Sequence, residues 1–426
     1  MPKLTRRNLL LGGSAIIGVA ALMSKPSDNS GPRDVYFLEV QAALLAAGIS
    51  TPTLVIDRAR LNANIDTLVG HLPEGMGYRI VAKSLPSLSL IDHIRKRANT
   101  DRLMTFNLPM LSELSRMMPE ANQLLGKPLP VRAAKTYFET LPADLGGAEQ
   151  RVQWLIDTTD RLGQYDQLAA TLGRSLRVNL ELDVGLHRGG FEPGAELQAA
   201  LEAIKASPNL EFAGYMGYEP HIPALPTTLG WRDKALKGAW KTYQAALEQA
   251  TNTLGADAMA NITRNAAGSP TYRYYENTEI ANEISAGSCL VKPTHFDSDL
   301  LEPHLPASFI ATPVIKSLPT TRMPGLEFAD GAKRAWDPNY NKTVFIYGGH
   351  WLADPVDPPG LSYNPTFGRS SNQEMLNGGP DLALAADEFV FLRPHQSEAV
   401  FLQFGDIAVY ENGEVVDYWP VFEASA

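Results

Sequence analysis

The sequence predicts an α/β fold, a (β/α)8 TIM barrel followed by a C-terminal, mostly antiparallel β domain. From about residue 50 to 290, apolar runs bounded by turn residues alternate with helical stretches, a pattern typical of parallel βα units. Eight such runs are present, the number that closes a barrel. After about residue 290, loops rich in proline and glycine replace the helices.

The predicted elements follow in chain order. Residues 36–47 are expected to form a helix. The predicted barrel strands cover 51–57, 78–83, 101–107, 129–134, 152–157, 177–184, 211–217 and 261–267. The predicted strands of the C-terminal part cover 388–392, 399–404, 407–410 and 415–419. Between the last two, Glu411-Asn412-Gly413-Glu414 predicts a tight hairpin turn.

Composition excludes several classes of protein. The 426 residues carry a net charge of −10, with no long basic run after the N-terminus. We therefore expect no nucleic-acid partner, because phosphate binding needs clustered Lys and Arg. The single cysteine, Cys289, excludes an internal disulfide and a cysteine-built metal site.

Residues 1–30 predict an export signal and a linker. Arg6 and Arg7 precede an uncharged, mostly apolar run that ends at Leu22, and a polar stretch follows. The run is short for a bilayer span and has the layout of a signal peptide. The paired arginines resemble a twin-arginine signal. We expect a periplasmic protein that meets the membrane only through this segment, or a tethered one if the segment is not cleaved.

Lys83 is the first candidate for chemistry. It closes the second predicted strand and so lies at the barrel mouth, where the active sites of such barrels form. Position alone favours an ordinary surface lysine. Arg188 follows the strand over 177–184 in a glycine-rich loop, which can place its guanidinium over the same mouth. A structural ion pair with Asp183 is the alternative for Arg188.

Two small-residue turns complete the candidate site. Gly268-Ser269 and Gly287-Ser288 lie at the end of the predicted barrel, where such barrels often bind phosphate through backbone N–H groups. Together with Lys83 and Arg188 they suit pyridoxal 5′-phosphate (PLP). The Lys83 amine would react with the cofactor aldehyde, Arg188 would reach the ring phenolate oxygen, and the turns would hold the phosphate.

These segments resemble the fold-type III PLP-dependent enzymes, specifically the D-threonine aldolase and D-serine dehydratase group, which is related to alanine racemase. The matching segments are Val81-Ala82-Lys83-Ser84 at the cofactor lysine, Leu182–Gly190 at D-x-G-x-x-R-x-G, Gly214–His221 at the seventh strand, and Ala267–Thr271 at the phosphate turn. The resemblance covers about residues 50–420 and adds Tyr218 to the cofactor-binding residues. It implies an alanine racemase-like PLP-binding barrel over 31–292, a C-terminal β domain over 293–426, and a homodimer.

The metal motif of that group is altered in this chain. The group binds a divalent metal on a histidine and a nearby Cys or Asp. Here His395 fits the first position, but Ser397 holds the second, and a neutral hydroxyl is a poor ligand. A divalent metal therefore stays open, with Glu398, Glu374 or Asp297 as substitute ligands. For His395, a catalytic role and a hydrogen-bonded histidine at the domain interface are the alternatives.

The resemblance implies a PLP-dependent lyase that acts on a D-3-hydroxy amino acid. The expected reaction is a D-threonine aldolase-like retro-aldol cleavage to glycine and an aldehyde, with Lys83 and His395 as catalytic residues. The nearest alternative is a D-serine dehydratase-like deaminase. A PLP-dependent amino-acid racemase, which needs no metal, is the second. The non-enzymatic alternative is a catalytically inactive PLP-binding protein.

Overall fold

The computed structural model describes residues 25–142 and 145–423. Most of the predicted export segment, residues 1–24, therefore lies outside the described residues. Among the described residues, no helix is both long enough and apolar enough to cross a bilayer.

The chain alternates strands and helices up to residue 291 and is mainly β structure afterwards. The strands are β1 (Thr53–Asp57), β2 (Gly77–Val81), β3 (Arg102–Thr105), β4 (Asn122–Leu125), β5 (Val152–Ile156), β6 (Leu176–Leu182), β7 (Leu210–Gly217), β8 (Thr263–Ala266), β9 (Glu283–Ala286), β10 (Ser308–Leu318), β11 (Lys342–Tyr347), β12 (Ala353–Asp357), β13 (Ser362–Tyr363), β14 (Gln373–Gly378), β15 (Phe389–Pro394), β16 (Ile407–Glu411) and β17 (Glu414–Trp419). The α-helices are α1 (Val35–Ala46), α2 (Arg58–His71), α3 (Leu88–Ala98), α4 (Leu108–Met117), α5 (Val131–Thr140), α6 (Thr159–Leu172), α7 (Ala195–Ala206), α8 (Trp231–Leu254), α9 (Ala256–Met259), α10 (Ser288–Val291) and α11 (Asp330–Trp336).

Strands β2 to β9 form a closed parallel barrel in sequential order, which confirms the predicted fold class. Several barrel strands lead into a helix that begins at a capping side chain. Ser87, Asn107 and Thr158 each accept a hydrogen bond from the backbone N–H three residues later. Because such caps satisfy the free N–H groups of a helix start, they fix where each helix leaves the barrel mouth.

Two of the eight predicted barrel strands are wrong. Residues 51–57 yield β1, which lies beside β10 in the antiparallel sheet. Residues 129–134 contain the start of α5, with Pro130 at its N-cap, because proline favours a helix start and lacks the N–H that a central strand needs. Their places in the barrel are taken by β4 and β9.

Polar side chains fill the barrel interior around Arg79. Its guanidinium is 1% exposed and donates to both carboxylate oxygens of Glu283, at 2.5 and 3.0 Å, and to Asn122 Oδ1 at 2.9 Å. Asn265 donates to Glu283 at 2.7 Å. A buried ion pair is tolerated only when its remaining donors and acceptors are also satisfied, and these side chains provide that.

The C-terminal strands form a mostly antiparallel arrangement, as predicted. β10 pairs antiparallel with β11 and β15, β14 with β11 and β13, and β12 with β15. The predicted hairpin turn is confirmed at residues 412–413, between β16 and β17. The predicted strand over 399–404 is wrong. The N–H groups of Val400 and Phe401 both bond the Ser397 carbonyl, which closes a helical turn instead.

The described chain divides into two compact units. One comprises Ile56–Ser308, His395–Glu411 and the chain from Val416 onward, and it contains the whole barrel. The other comprises the described chain up to Val55, Phe309–Pro394 and Asn412–Val415. Residues 293–308 and 395–411, which the sequence interpretation assigns to the C-terminal domain, thus belong to the unit of the barrel.

Candidate active site

A cavity of about 430 Å³ opens at the C-terminal ends of the barrel strands, entirely within the barrel unit. The cavity is lined by every residue that the sequence predicts to bind the cofactor: Lys83, Arg188, Tyr218, Gly268, Ser269, Gly287 and Ser288. His395 is not among the lining residues. The structure therefore collects residues that lie up to 205 positions apart along the chain (Lys83 to Ser288).

Lys83 lies in the short 3-10 turn Ala82–Ser84 that follows β2. Its ammonium nitrogen is 3.4 Å from Glu398 Oε1 and 4.9 Å from the centre of the Phe106 ring. The side chain keeps 44% of its surface exposed. The amine is thus held between a carboxylate and an aromatic face while it stays accessible from the cavity.

A chain of hydrogen bonds leads from the second small turn to this carboxylate. The Ser288 hydroxyl donates to Ser84 Oγ at 2.9 Å, and Ser84 donates to Glu398 Oε1 at 3.1 Å. The other carboxylate oxygen of Glu398 accepts from Ser397 at 3.3 Å. Both oxygens of Glu398 are therefore oriented by serine hydroxyls, with the amine of Lys83 beside one of them.

Arg188 lies over the face of Tyr218, with its guanidinium carbon 5.5 Å from the ring centre. Its nearest carboxylate oxygen is Glu181 Oε1, at 3.8 Å. Burial raises the pKa of the Glu181 carboxyl, and the charge of Arg188 opposes that rise. Burial also raises the pKa of Tyr218 to about 12. The phenol therefore keeps its proton at neutral pH and can donate a hydrogen bond into the cavity.

The loop that carries Arg188 is organised by Asp183. One carboxylate oxygen of Asp183 accepts the N–H groups of Gly185 and His187, both at 2.9 Å. The other lies 3.0 Å from the His187 ring. These bonds hold His187 in the left-handed region, at φ 56°, where a non-glycine residue needs such support. The loop therefore presents Arg188 from a fixed backbone.

The two small turns are joined by the hydroxyl of Ser269. It accepts the N–H groups of Gly287 at 3.1 Å and Cys289 at 3.0 Å. The N–H of Gly268 is bonded to Thr271 Oγ1 at 3.1 Å. The N–H groups of Gly268 and Gly287, which the sequence interpretation treats as free for phosphate, are thus already bonded. A hydroxyl that accepts two bonds still has its own proton to donate.

Close packing explains why glycines stand in these turns. A Cβ at Gly268 would lie 2.4 Å from the Tyr218 ring, and one at Gly287 would lie 2.7 Å from the Val81 carbonyl oxygen. Both turns are therefore pressed against cavity-lining elements, and a larger residue would displace Tyr218 or the backbone before Lys83.

Glu219 lies buried beneath the first turn and was not predicted from the sequence. It is 1% exposed and accepts the Thr271 hydroxyl at 2.6 Å. Burial raises the pKa of this carboxyl to about 7, although hydrogen bonds from Thr271 and Tyr275 oppose the rise. Because Thr271 also holds the N–H of Gly268, Glu219 supports the turn from below. Nothing in the local sequence indicates that this glutamate is buried.

The segment predicted to bind a metal has another geometry. The ring of His395 stacks on His295, with centres 5.1 Å apart and planes 15° from parallel. Ser397 is fully buried, and its hydroxyl bonds Glu398. Among the described residues, three metal-binding side chains converge only at Asp183, His187 and Glu192. The described side chains around His395 and Ser397 therefore form no cluster of three metal-binding groups.

Glu398 is the cavity residue that sequence reasoning placed least well. It was considered only as a substitute metal ligand, yet its carboxylate contacts Lys83, Ser84 and Ser397. The contact with Ser84 joins residues 314 positions apart. A single sequence without aligned relatives carries no signal for such a pair.

Comparisons with known proteins agree with this architecture. Part of the chain is similar to the 3-hydroxy-D-aspartate aldolase of Paracoccus denitrificans (strain Pd 1222), with 25% identity over 136 residues. The aligned segment covers 31% of this chain and 33% of that protein. The crystal structure of D-threonine aldolase from Filomicrobium marinum superimposes with a TM-score of 0.67 at 17% identity, covering 88% of this chain and 95% of that one.

The D-threo-3-hydroxyaspartate dehydratase from Delftia sp. HT23 gives a TM-score of 0.67 at 15% identity, covering 88% of this chain and 98% of that one. At these identities the two structures establish a shared fold. Residues 56–294, more than half of the chain, match the family described as alanine racemase, N-terminal domain. The chain therefore belongs to the alanine racemase N-terminal domain family, which confirms the resemblance to fold-type III PLP-dependent enzymes.

Proposed function

We propose that the protein is a PLP-dependent lyase that cleaves D-3-hydroxy amino acids to glycine and an aldehyde. The observation that carries the proposal is the accessible amine of Lys83 in a barrel-mouth cavity that also holds Arg188, Tyr218 and the two small turns. Similar proteins named as aldolases of D-threonine and 3-hydroxy-D-aspartate support this choice of reaction.

The residues present fit PLP. The donor set combines a lysine amine, a guanidinium, a protonated phenol and serine hydroxyls, and each has a chemical counterpart in the cofactor. Lys83 would hold it covalently through the amine, Arg188 would bind an oxygen of the ring, and the Ser269 and Ser288 turns would hold the phosphate. When bound, PLP takes up the electron pair that bond cleavage leaves at the substrate Cα.

Glu398 is placed to handle the substrate proton. In the proposed reaction the β-hydroxyl loses its proton to the Glu398 carboxylate. The O–H electron pair becomes the carbonyl π bond of the aldehyde as the Cα–Cβ bond breaks. The Glu398 carboxyl then returns a proton to Cα, which gives glycine and restores the carboxylate. The hydrogen bonds from Ser84 and Ser397 orient the carboxylate, which is what general acid–base catalysis requires.

No step of this scheme is assigned to a metal, because no three metal-binding side chains converge at the predicted metal position in the described part of the chain. His395 is stacked on His295 away from the cavity lining. Ser397 instead bonds the carboxylate that would accept the proton. In this proposal His395 shapes the segment that carries Glu398 and does not itself contact the substrate.

The products of the reaction test the proposal. PLP-loaded protein is incubated with D-threonine, D-serine and D-3-hydroxyaspartate, with the L-isomers as matched controls. We expect glycine and the corresponding aldehyde from one or more of the D-isomers and none from the L-isomers. A 2-oxo acid with ammonia would identify a dehydratase, and an amino acid epimerised at Cα would identify a racemase. The first result would contradict the aldolase assignment, although a dehydratase is also a lyase, and the second would contradict the lyase assignment altogether.

A further inference from the structure

Lys127 is a second lysine in the cavity, and its backbone is tightly held. It follows β4 in the segment Gly126-Lys127-Pro128 and lines the cavity. The N–H of Gly126 donates to the Thr105 carbonyl at 2.8 Å. A Cβ at Gly126 would lie 2.3 Å from the Phe106 ring, so the backbone is packed onto that ring. Pro128 restricts the chain on the other side.

In the described chain, Lys127 has no carboxylate within ion-pair distance, unlike the other two cations of the cavity. Lys83 lies 3.4 Å from Glu398, and Arg188 lies 3.8 Å from Glu181. Within residues 25–142 and 145–423, Lys127 makes no ion pair and no side-chain hydrogen bond. An ordinary surface lysine would also be unpaired. Lys127 is exposed, and it differs from an ordinary surface lysine because it lines the cavity and because the preceding residue, Gly126, is packed against Phe106 and Met104.

The barrel order places Lys127 and the two small turns on opposite sides of Lys83. Strand β2, which leads into Lys83, has β9 and then β8 on one side, and β3 and then β4 on the other. The two small turns follow β8 and β9, whereas Lys127 follows β4. If the turns hold the phosphate and Lys83 holds the cofactor aldehyde, Lys127 would be available to a substrate group on the other side of Lys83.

Three cationic side chains (Lys83, Lys127 and Arg188) and three carboxylates (Asp157, Glu181 and Glu398) line the cavity. Glu398 lies beside Lys83 and Glu181 beside Arg188, whereas neither Lys127 nor Asp157 makes an ion pair among the described residues. Arg188 carries five N–H donors, and its nearest carboxylate oxygen lies at the long distance of 3.8 Å. An Arg188 guanidinium that binds an oxygen of the cofactor ring therefore still has N–H donors for the α-carboxylate that every amino acid carries, which leaves Lys127 for a further anion. A substrate with a neutral side chain, such as threonine, would leave this ammonium without a partner.

We propose that Lys127 binds the side-chain carboxylate of the substrate, so that the enzyme acts on acidic D-3-hydroxy amino acids of the hydroxyaspartate type. This inference rests on the proposed function and names its substrate class. It makes Lys127 a specificity-determining residue, because a neutral substrate of similar size lacks the charge that the ammonium recognises.

The test compares D-aspartate with D-asparagine, which have nearly the same size and differ in charge. Neither carries a 3-hydroxyl group, so neither undergoes lyase cleavage, and dissociation constants can be measured by calorimetry and by the change in visible absorption of the PLP-loaded protein. The variants are Lys127→Gln, Lys127→Arg and the matched control Lys135→Gln. Lys135 lies on α5 and pairs with Glu139 at 3.5 Å.

We expect wild type to bind D-aspartate about tenfold or more tightly than D-asparagine, because hydrogen bonds to charged groups contribute at least that factor. Lys127→Gln should abolish this preference and leave D-asparagine binding unchanged. Lys127→Arg should keep most of the preference, and Lys135→Gln all of it.

Three results would overturn the inference. One is a wild-type protein with no preference for D-aspartate, a result that does not depend on how the variants fold. Another is an equal loss of affinity for D-aspartate and D-asparagine in Lys127→Gln, which would mean that Lys127 binds the α-carboxylate. The third is an unchanged preference in that variant. Failure of the lyase proposal itself would show separately, as an absence of glycine among the products of 3-hydroxy substrates.

Discussion

At the scale of single residues, one hydroxyl joins the two turns of the candidate phosphate site. Ser269 accepts the N–H groups of both Gly287 and Cys289. It lies on the first turn, and its partners lie 18 and 20 positions away, on the second. The stability of the second turn therefore depends on a side chain of the first.

Ser269→Ala is expected to destabilise the protein and weaken PLP binding. The substitution leaves two buried N–H groups without an acceptor, and each such loss costs about 1–3 kcal/mol. The measurements are the urea midpoint of unfolding and the PLP dissociation constant. Thr105→Val is the matched control, because its buried hydroxyl has no hydrogen-bond partner among the described residues. Equal urea midpoints for Ser269→Ala and wild type would contradict the assignment.

Motif spacing was sufficient to predict residues that line one cavity, but not the side chains that contact them. Lys83, Arg188 and the two turns could be identified because each follows a strand and carries a distinctive residue type. Glu398 and Glu219 could not, because their importance comes from burial and from contacts with Lys83 and Thr271. Those contacts exist only after the barrel has closed.

At the scale of elements, the loop after β7 combines Tyr218 in the cavity lining with Glu219 buried beneath the turn. The two residues are adjacent, so one short segment supplies a cavity donor and the support for Gly268. Burial raises the pKa of the Glu219 carboxyl from its ordinary value of 4.5 to about 7. The loop should therefore respond to pH in the neutral range.

Glu219 is expected to make the free energy of unfolding fall as pH rises from about 4.5 to about 7. In this window the folded protein keeps a proton that the unfolded chain has lost, so rising pH favours unfolding. The slope is roughly 1.4 kcal/mol per pH unit, or about 3 kcal/mol in all. Glu219→Gln should remove this contribution, as measured by urea unfolding across the window.

The control for that experiment is Glu139→Gln, which removes one carboxylate from the surface of α5, where the side chain is 56% exposed. Its free energy of unfolding should change with pH in the same way as that of wild type. A Glu219→Gln profile that still follows wild type through the same window would mean that Glu219 does not retain its proton in the folded state.

The missed strands show why periodicity alone was insufficient. β4 contains Asn122 and Gln123, and β9 contains Glu283 and Ser285. These polar side chains bond Arg79, Ser115 and Asn265 inside the barrel unit. A search for continuous apolar runs cannot detect strands whose buried faces are polar. The first predicted barrel strand instead corresponds to β1, which is buried and apolar but lies in the other sheet, and the fourth corresponds to the start of α5.

At the scale of the whole molecule, the chain returns to the barrel unit after the sheet. Residues 395–411 belong to the same unit as Lys83 and bring Glu398 into the cavity. Sequence composition changes near residue 290. Such a change cannot show that a later segment of the chain belongs to the barrel unit again. The fold class was predictable because it depends on many helices and strands. The return of the chain to the barrel unit depends on a single segment, residues 395–411. The export segment, the periplasmic location and the homodimer stay predictions.

The central claim is that Lys83 holds PLP covalently. Purified protein is loaded with PLP, reduced with borohydride, digested and mapped by mass spectrometry, alongside Lys83→Ala and Lys127→Gln. We expect a visible absorption band in wild type and in Lys127→Gln, with the reduced cofactor on the peptide that contains Lys83, and neither signal in Lys83→Ala. A colourless wild type, or a reduced cofactor attached to another lysine, would contradict it.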